Sequence, residues 1–351
     1  MPMTAPPDSL QAPAPPPGPP SAPSSSSGRR DALRYVAAVV FTLLVAVVAL
    51  PDLLFGLDQR SPFTQLVSFR PWILIGVAGL LVLLLVVMVF ERRVLPFVDG
   101  VVLVLLVGVA MLVPRLVADP VPAGGTPLTV LAFNTFEGRA DVQQVAALIE
   151  QERPDVVALS EAGGRYADRL RPLVEPMGYH LESSIGSRRR DVEGVTTAVS
   201  DRLGDVQARI GTETSAFPYI ELSGAGLGGM RVAAFHSVAP VPGSVPDWRS
   251  DLGLLRQWCA GPTPAIVAGD FNATLDHSVL RDAIAGCGDA GAQTGEGLVP
   301  TWGPTPRFRN LLGPQIDHVI ANNGITAESF EVHDIAGSDH RAIITRLRVP
   351  G

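Results

Sequence analysis

Three long apolar runs dominate the N-terminal third of the chain. They extend from Tyr35 to Leu50, from Pro71 to Phe90 and from Val94 to Val113, and the middle run has no charged residue over its 20 positions. A helix of roughly 20 apolar residues is long enough to cross the hydrocarbon core of a bilayer. The pattern therefore predicts a membrane anchor of three transmembrane helices over residues 33–117.

The chain before the first run has a different composition. Residues 1–28 are mostly Pro, Ser, Ala and Gly, which bury too little apolar surface to offset the entropy of ordering. We predict a disordered tail there, and its APAPPPGPP stretch is either a solvated spacer or a polyproline ligand for a partner. Because the first apolar run follows this tail and two more runs come after it, an anchor is favoured over a cleaved signal peptide.

Arginines that flank the runs predict the orientation of the anchor, because positive charges are retained on the cytoplasmic side. One side has five, namely Arg29, Arg30, Arg34, Arg92 and Arg93, and the other has three, namely Arg60, Arg70 and Arg115. This bias places the N-terminus in the cytoplasm and, after three crossings, the chain beyond Val117 outside. Asp99 then lies near the cytoplasmic end of its helix, where we expect an interfacial carboxylate rather than a proton relay.

From residue 128 the pattern changes to that of an α/β domain. Its short β-rich runs are LTVLAF (128–133), VVALS (156–160), VTTAVS (195–200), RVAAF (231–235), AIVAG (265–269), QIDHVIA (315–321) and AIITRL (342–347). Helical patterns lie between several of them, over Asp141–Glu152 and from Trp248 to Trp258. Residues 128–348 are numerous enough to enclose one sizeable core, so we predict a single domain there.

Charge limits the partners of this domain. The chain is 47% hydrophobic and 17% charged with a net charge of -7, and it contains no lysine. From residue 128 onward, 19 arginines stand against 27 acidic residues. Such a domain is a poor candidate for indiscriminate nucleic-acid binding, which needs a basic surface. Its one basic cluster, Arg188–Arg190, follows a further expected strand from Tyr179 to Ile185 and precedes VTTAVS. The cluster is either a solvated charge run or a clamp for a phosphorylated headgroup or anionic lipid.

Polar side chains stand at the ends of the predicted strands, where packing does not require them. They are Asn134, Glu161, His236, Asp270 and Asn272 after strands, Asp317 and His318 inside one, and Asp339 and His340 before the last. Each alone has an ordinary explanation as a helix cap or turn residue. Together they predict a site at one edge of a sheet, where strand ends bring side chains close to one another.

A known family has the same polar residues in the same order. The set is Asn134, Glu161, His236, GDFN at 269–272, Thr301-Trp302, IDH at 316–318 and SDH at 338–340. It resembles the endonuclease/exonuclease/phosphatase superfamily of metal-dependent phosphoesterases, which includes DNase I-like nucleases and neutral sphingomyelinases. The likeness extends from Leu128 to about Arg348. It implies an α/β fold, a four-layer sandwich of two mixed sheets flanked by helices, here preceded by three transmembrane helices.

The resemblance also implies a metal site. Glu161 would be the main ligand of Mg²⁺, with Asn134 and Asp339 near or in its coordination shell. Mn²⁺ and Ca²⁺ are alternatives, because hard cations of this kind prefer oxygen ligands. The cation would stabilise the charge that develops on a phosphoryl group under attack.

Five further residues receive catalytic roles from the same resemblance. His340 would pair with Asp317, which orients the imidazole. Asp270 would activate or orient the attacking water, or protonate the leaving oxygen. Asn272 and His236 would donate hydrogen bonds to phosphoryl oxygens.

The chain departs from the family pattern around the histidines. Relatives of the DNase I type have a carboxylate paired with the histidine equivalent to His236, and the segment EGVTTAVSD offers only Glu193 and Asp201. His318 replaces an aromatic residue of many relatives, and we expect it to be structural. The remaining histidines match no motif and are expected at the surface or at helix starts; they are His180, His277 and His333.

The two cysteines, Cys259 and Cys287, are expected at the ends of two helices that flank the GDFN strand. In an oxidising exterior they could form a disulfide. Two unpaired buried thiols are the alternative.

The expected function is metal-dependent hydrolysis of phosphodiesters or phosphomonoesters at the outer face of the membrane. The substrate class includes lipid headgroups, nucleic acids and small phosphoesters, and the bilayer is the other expected partner, with no obligate protein partner inferred. Tethering favours lipid or other surface-bound substrates, whereas an extracytoplasmic nuclease is an equal alternative. A catalytically inactive receptor that binds a phosphorylated ligand is the alternative from a different class.

Overall fold

A computed structural model describes residues 25–121 and 123–350. The helices are α1 (Ser25–Ala49), α2 (Phe63–Val67), α3 (Arg70–Phe90), α4 (Leu95–Leu112), α5 (Val142–Glu152), α6 (Gly164–Val174), α7 (Val245–Gly253), α8 (Arg256–Cys259), α9 (Ser278–Ala283), α10 (Ala290–Gln293) and α11 (Pro306–Leu312). The strands are β1 (Thr126–Asn134), β2 (Val156–Ser160), β3 (Tyr179–Ser183), β4 (Val195–Ser200), β5 (Gln207–Gly211), β6 (Tyr219–Ser223), β7 (Arg231–His236), β8 (Ala265–Asp270), β9 (Cys287–Asp289), β10 (Asp317–Asn322), β11 (Thr326–Asp334) and β12 (Arg341–Val349). The predicted tail and its proline-rich stretch fall mostly on residues 1–24, outside the described residues, and α1 begins inside that tail at Ser25.

Three of the helices, α1, α3 and α4, are long and apolar enough to cross a membrane. They pack on one another through a small apolar core that includes Leu74, Val101 and Val104. Gly108 allows close packing of α4 on α3, because a Cβ at this position would lie 2.5 Å from the Leu74 side chain. Large apolar residues such as Val82 and Leu103 remain exposed on the outer faces of the helices, as a lipid-facing surface requires.

Two six-stranded mixed sheets form the rest of the fold. The first has the strand order β11-β12-β1-β2-β4-β3 and the second has the order β5-β6-β7-β8-β10-β9. One apolar core lies between the sheets, and two others lie between a sheet and its outer helices, α5 and α6 on one side and α7 to α9 on the other. The predicted four-layer α/β sandwich is therefore confirmed.

Several elements differ from the sequence-based prediction. Strands β5, β6, β9 and β11 were not predicted; β5 is exposed at four of its five positions and therefore shows no apolar alternation. The single helix expected from Trp248 to Trp258 is divided into α7 and α8. The division follows Gly253, and glycine weakens a helix at the position it occupies.

Cys259 and Cys287 form a disulfide with a sequence separation of 28 residues. Cys259 lies at the end of α8 as expected, but Cys287 begins the short edge strand β9 instead of ending a helix. The bridge therefore ties an edge strand to the helical layer beside β8.

Replacing both cysteines with serine should lower the free energy of unfolding of the full-length protein by about 3–4 kcal/mol, because the unfolded chain regains the freedom that a loop of this length restricts. Denaturant unfolding in detergent micelles measures the difference. Treatment of the unmodified protein with a reductant should reproduce most of this loss in the free energy of unfolding. Equal stability of both forms would show that the bridge does not restrain the unfolded chain.

Buried charged groups attach the three apolar helices and their connections, called the anchor after their predicted role, to the sandwich. Arg70, the first residue of α3, pairs with Asp52 and donates to Asp276 Oδ1 over 2.8 Å. Arg115 donates to the same oxygen over 2.9 Å, and Arg281 donates to Asp52 over 2.6 Å. Both carboxylates and the Arg70 side chain are buried. Because isolated buried charges are very unfavourable, this set fixes the anchor against the loop that follows β8.

Candidate active site

The strand order brings the predicted polar residues to one edge of the sandwich. Strands β1 and β2 are parallel and place Asn134 beside Ser160, directly before Glu161. Strands β7 and β8 are also parallel and place His236 beside Asp270. The ends of these two pairs lie at the same edge of two facing sheets, so their polar side chains meet there.

Asn134 connects the two sheets at this edge. Its side-chain amide donates to Glu161 Oε1 over 3.1 Å and to Asp270 Oδ2 over 2.9 Å. The other oxygen of Glu161 accepts the backbone N–H of Glu137 over 2.7 Å. Burial raises the pKa of Glu161 above its ordinary value, although these hydrogen bonds counteract part of that effect.

His340 is the centre of a second group of contacts. Its Nδ1 lies 2.8 Å from Asp317 Oδ2, and its Nε2 lies 3.8 Å from Asp270 Oδ2. Burial disfavours the charged imidazole, but the carboxylates of Asp317 and Asp270 outweigh it and raise the pKa of His340 to about 9. The expected pairing of His340 with Asp317 is thus present in the structure, and it holds a protonated imidazole against Asp270.

Asp270 lies between these groups. Burial raises the pKa of this carboxyl group to about 7, and the neighbouring charge of Asp317 adds to the increase, whereas the charge of His340 opposes it. The backbone N–H of Asn272 donates to its other oxygen, Oδ1, over 2.8 Å. The Asp270 carboxyl group is therefore held in place by the backbone and lies close to two imidazoles.

His236 is in a different environment. Its Nε2 lies 3.7 Å from Asp270 Oδ2, and its ring stacks on Phe217 with the centroids 4.4 Å apart. Its Nδ1 is buried and has no hydrogen-bond partner among residues 25–121 and 123–350. Burial lowers the pKa of His236 to about 3, and the nearby charge of His340 acts in the same direction. His236 is therefore a neutral imidazole that can donate or accept one hydrogen bond.

Neither of the two carboxylates considered as partners of His236 lies at the site. Glu193 is bound by Arg189 and Arg190, and Asp201 contacts His180 at the surface. Phe217 takes the position beside the ring instead. No sequence signal indicated Phe217, because it lies in an irregular segment between β5 and β6.

Asp339 faces the same cluster from the other side of His340. Its Oδ2 accepts the indole N–H of Trp302 over 3.1 Å, and its Oδ1 is buried without a partner in the described part of the chain. Oδ1 lies 3.9 Å from His340 Nε2. A buried carboxylate oxygen without a donor is costly, so this oxygen is suited to a ligand.

The side-chain amide of Asn272 is bound within the protein. It donates to Ser237 O over 3.0 Å and to Asp270 Oδ2 over 3.3 Å. The backbone of Asn272 is in the left-handed region, with φ of 47°, as is that of Glu161, with φ of 53°. Strained non-glycine residues persist where the surroundings enforce them and are frequent at functional sites. Position 269 requires glycine for a steric reason, because a Cβ there would lie 2.0 Å from Phe235 O.

Two sets of residues fit a metal ion. Asp270, Asp317 and His340 each offer one ligand atom, and these atoms lie within 4.8 Å of one another. The other set is the predicted one, with Asn134, Glu161 and Asp339. Glu161 and Asp339 offer carboxylate oxygens, which Mg²⁺ prefers. Asp339 Oδ1 has no partner in the described residues, and the same is true of Asp317 Oδ1 in the first set. The side-chain oxygen of Asn134 accepts the backbone N–H of Phe136 over 2.9 Å, and its amide nitrogen faces Glu161 and Asp270.

The remaining histidines lie outside the cluster. His318 contacts Asp289 and Ala273 O, both over 2.8 Å, in the structural role expected for it. His180 is at the surface and His333 is half-buried on β11. His277 precedes α9 as expected, but it is fully buried and its Nε2 donates to Thr64 O of the anchor over 2.9 Å. The Arg188–Arg190 cluster is exposed, and two of its members pair with Glu193.

A protein-family match covers the whole of this site. A model of the Endonuclease/Exonuclease/phosphatase family matches residues 131–340, a range that contains every predicted site residue. Similar solved structures include truncated TDP2 from Caenorhabditis elegans, which is 17% identical with a TM-score of 0.49 and coverage of 64% of this chain and 98% of that chain. A family protein from Beutenbergia cavernae is 19% identical with a TM-score of 0.46 and coverage of 64% and 72%. No curated protein sequence matches the chain.

Proposed function

Because the chain belongs to the endonuclease/exonuclease/phosphatase family and is a hydrolase of phosphoester bonds, we propose that it is a membrane-anchored, divalent-metal-dependent phosphoesterase. Residues 33–117 form its anchor and residues 128–348 form its catalytic domain. The observation that carries this proposal is the convergence of carboxylates and imidazoles on Asp270, whose Oδ2 lies 3.7 Å from His236 and 3.8 Å from His340.

The metal site in this proposal consists of Glu161, Asp339 and Asn134. The two carboxylates are close enough for the charge of Asp339 to raise the pKa of Glu161, and a cation between them would remove that repulsion. Mg²⁺ is the expected ion, with Mn²⁺ or Ca²⁺ as alternatives. When bound, the cation supplies a Lewis acid for a phosphoryl oxygen.

The protein residues then handle the proton and the developing charge. Asp270 orients the attacking water and accepts its proton while the water oxygen bonds to phosphorus and the ester oxygen leaves, to be reprotonated by solvent. His236 donates a hydrogen bond to a phosphoryl oxygen, and Asn272 assists by fixing Asp270 through its backbone N–H and its side-chain amide. His340, oriented by Asp317, holds positive charge beside the reacting group.

The proposed location is the outer face of the membrane, with the N-terminus in the cytoplasm. The arginine bias supports this orientation, and two of the outer arginines, Arg70 and Arg115, are paired with Asp276 of the catalytic domain. The disulfide between Cys259 and Cys287 also supports it, because such bonds persist in oxidising compartments.

Replacing Glu161 with glutamine should raise the Mn²⁺ concentration needed for half-saturation by about 10- to 100-fold, because a charged ligand is lost. Paramagnetic resonance of free Mn²⁺ measures binding to the full-length protein in micelles. Asp317→Asn should change binding much less, and Glu182→Gln, an exposed carboxylate on β3, should not change it. A larger effect of Asp317→Asn would assign the ion to Asp270, Asp317 and His340 instead.

The substrate class is tested by a metal-dependent activity panel. Full-length protein is assayed in lipid vesicles with Mg²⁺ against single-stranded DNA, phospholipids and inositol phosphates, and in parallel after removal of the metal by EDTA. Hydrolysis of one class that stops with EDTA and returns with Mg²⁺ is the expected result. Binding of a phosphorylated ligand without hydrolysis of any class would favour the inactive receptor, which has no need of the full residue set from Glu161 to His340.

A further inference from the structure

The anchor contacts the sandwich through the loops that border the catalytic edge. The loop after β7 accepts a hydrogen bond from Gln65 at Pro240 O, and the loop after β8 contacts the anchor through Asp276 and His277. Helix α11, which follows Trp302, places Phe308 against Phe69 with the ring centroids 6.2 Å apart. The catalytic edge thus faces the outer ends of the candidate membrane spans.

Helix α11 lies beside the first turn of α3, which is a candidate membrane span. A cavity of about 250 Å³ between the anchor and the sandwich is lined by Trp72, Leu298, Asn310 and Leu311, among others. Trp72 is the third residue of α3 and therefore lies about 3 Å along that helix from its outer end. Tryptophan is enriched where apolar chains meet the headgroups, so α11 is beside this zone.

The exposed surface of α11 is apolar and basic. Leu311 is 58% exposed and Leu312 is 38% exposed, although large apolar side chains are usually buried. Arg307 is exposed on the same helix, which contains no acidic residue. Val241, in the loop that contacts Gln65, is 56% exposed. Apolar residues combined with arginine are typical of helices that lie in the bilayer interface.

The same helix is attached to the catalytic residues. Arg309 is buried and donates to His340 O over 3.1 Å and to Ser338 O over 3.2 Å. Leu311 lies on the face of the helix opposite Arg309, so about the width of one helix, roughly 10 Å, separates it from the catalytic cluster. The headgroup zone of one leaflet is about 5–7 Å thick, so a phosphate in that zone is within reach of the cluster.

We propose that α11, with Val241, is a bilayer-contacting surface and that the substrate is a phosphoester carried by an amphiphile embedded in the same leaflet. The substrate part of this inference rests on the proposed phosphoesterase function. The occupant of the surface is the lipid that surrounds α3, because Phe308 of α11 packs on Phe69, the residue directly before α3. The net negative charge of the domain gives no attraction for a free polyanion, whereas an embedded substrate is concentrated by the anchor itself.

Fluorescence tests the surface independently of catalysis. The described cysteines are joined in a disulfide, so Leu311→Cys supplies a thiol for a polarity-sensitive fluorophore in the full-length protein. The protein is reconstituted in vesicles of equal amounts of phosphatidylcholine and phosphatidylglycerol, with or without nitroxide-labelled lipid. We expect blue-shifted emission and quenching at residue 311. Ile210→Cys on β5, which is 42% exposed, is the matched control and should show neither; equal, unquenched emission at both positions would overturn the proposal.

Hydrolysis tests the substrate class. The same phosphodiester headgroup is offered on a long-chain lipid in the vesicle and on a dissolved short-chain analogue. The variant Leu311→Asp/Leu312→Asp should lower the ratio of the vesicle rate to the soluble rate by about tenfold or more, whereas Ile210→Asp should leave the ratio unchanged. An unchanged ratio in the leucine variant would reject the amphiphilic substrate. If the unmodified protein hydrolyses neither compound, the amphiphilic substrate is rejected. The activity panel against the other classes then decides the proposed function, and the fluorescence result still decides the surface.

Discussion

Replacing Asp270 with asparagine should reduce the Mg²⁺-dependent hydrolysis of bis(p-nitrophenyl) phosphate by about 10³-fold, within the 10²–10⁴-fold range of a lost proton acceptor. Asparagine preserves the shape of the side chain, but it cannot accept the proton of the attacking water. It also removes the negative charge that lies 3.8 Å from His340 Nε2. The rate constant kcat should fall more than the affinity for the substrate.

Two controls accompany this measurement. Asp282→Asn changes an exposed carboxylate on α9 and should have the rate of the unmodified protein. Thermal unfolding should show that Asp270→Asn is folded, because removal of a carboxyl group whose burial is unfavourable costs little stability. His340→Ala should reduce the rate by a similar factor. A folded Asp270→Asn protein with a rate within a few-fold of normal would remove Asp270 from the mechanism.

Replacing Arg70 with methionine should weaken the attachment of the catalytic domain to the anchor. The side chain is fully buried between Asp52 and Asp276, and loss of one partner from a buried ion pair typically costs about 3–5 kcal/mol. Arg281 and Arg115 continue to pair with the two carboxylates, so the sandwich itself should remain folded. Hydrogen exchange should accelerate at residues 274–278, the loop that carries Asp276 and His277.

Arg60→Met is the matched control for Arg70, because Arg60 is exposed in the same connection between α1 and α3. It should leave both the exchange rates and the unfolding transition unchanged. The Arg70→Met protein should also hydrolyse the substrate in vesicles more slowly, in step with its loss of protection from hydrogen exchange. Normal protection in the Arg70 variant would show that the remaining contacts, including the pairs Arg115–Asp276 and Arg281–Asp52, hold the two parts together without Arg70.

The sequence indicated the catalytic edge well because its signals are local. Buried apolar runs such as VVALS and AIVAG end in residues that packing does not require, namely Glu161 and Asp270. The ends of two parallel strand pairs in facing sheets then have to meet at one edge. Local periodicity could not supply the strand order itself, and the four-layer fold came from the family resemblance.

Other features depend on pairs that are distant in sequence. Arg70 is a flanking arginine in the sequence, whereas in the structure it neutralises Asp52 and Asp276, the latter 206 residues away. Phe217 has no motif around it and reaches His236 only because β5 and β6 turn toward the site. Strand β5 is exposed at four of its five positions, so its sequence shows no alternation of apolar and polar residues. The sequence around His277 does not distinguish it from a surface histidine. Each of these features is decided by tertiary contacts.

The most direct measurement of the central claim is the location of the metal ion. Crystals of the full-length protein soaked with Mn²⁺, and examined by anomalous diffraction, should show one ion at direct coordination distance, about 2 Å, from a carboxylate oxygen of Glu161 and from Asp339 Oδ1. An ion bound by Asp317 and His340, or the absence of an ion from this edge of the sandwich in fully soaked crystals, would contradict the proposed mechanism.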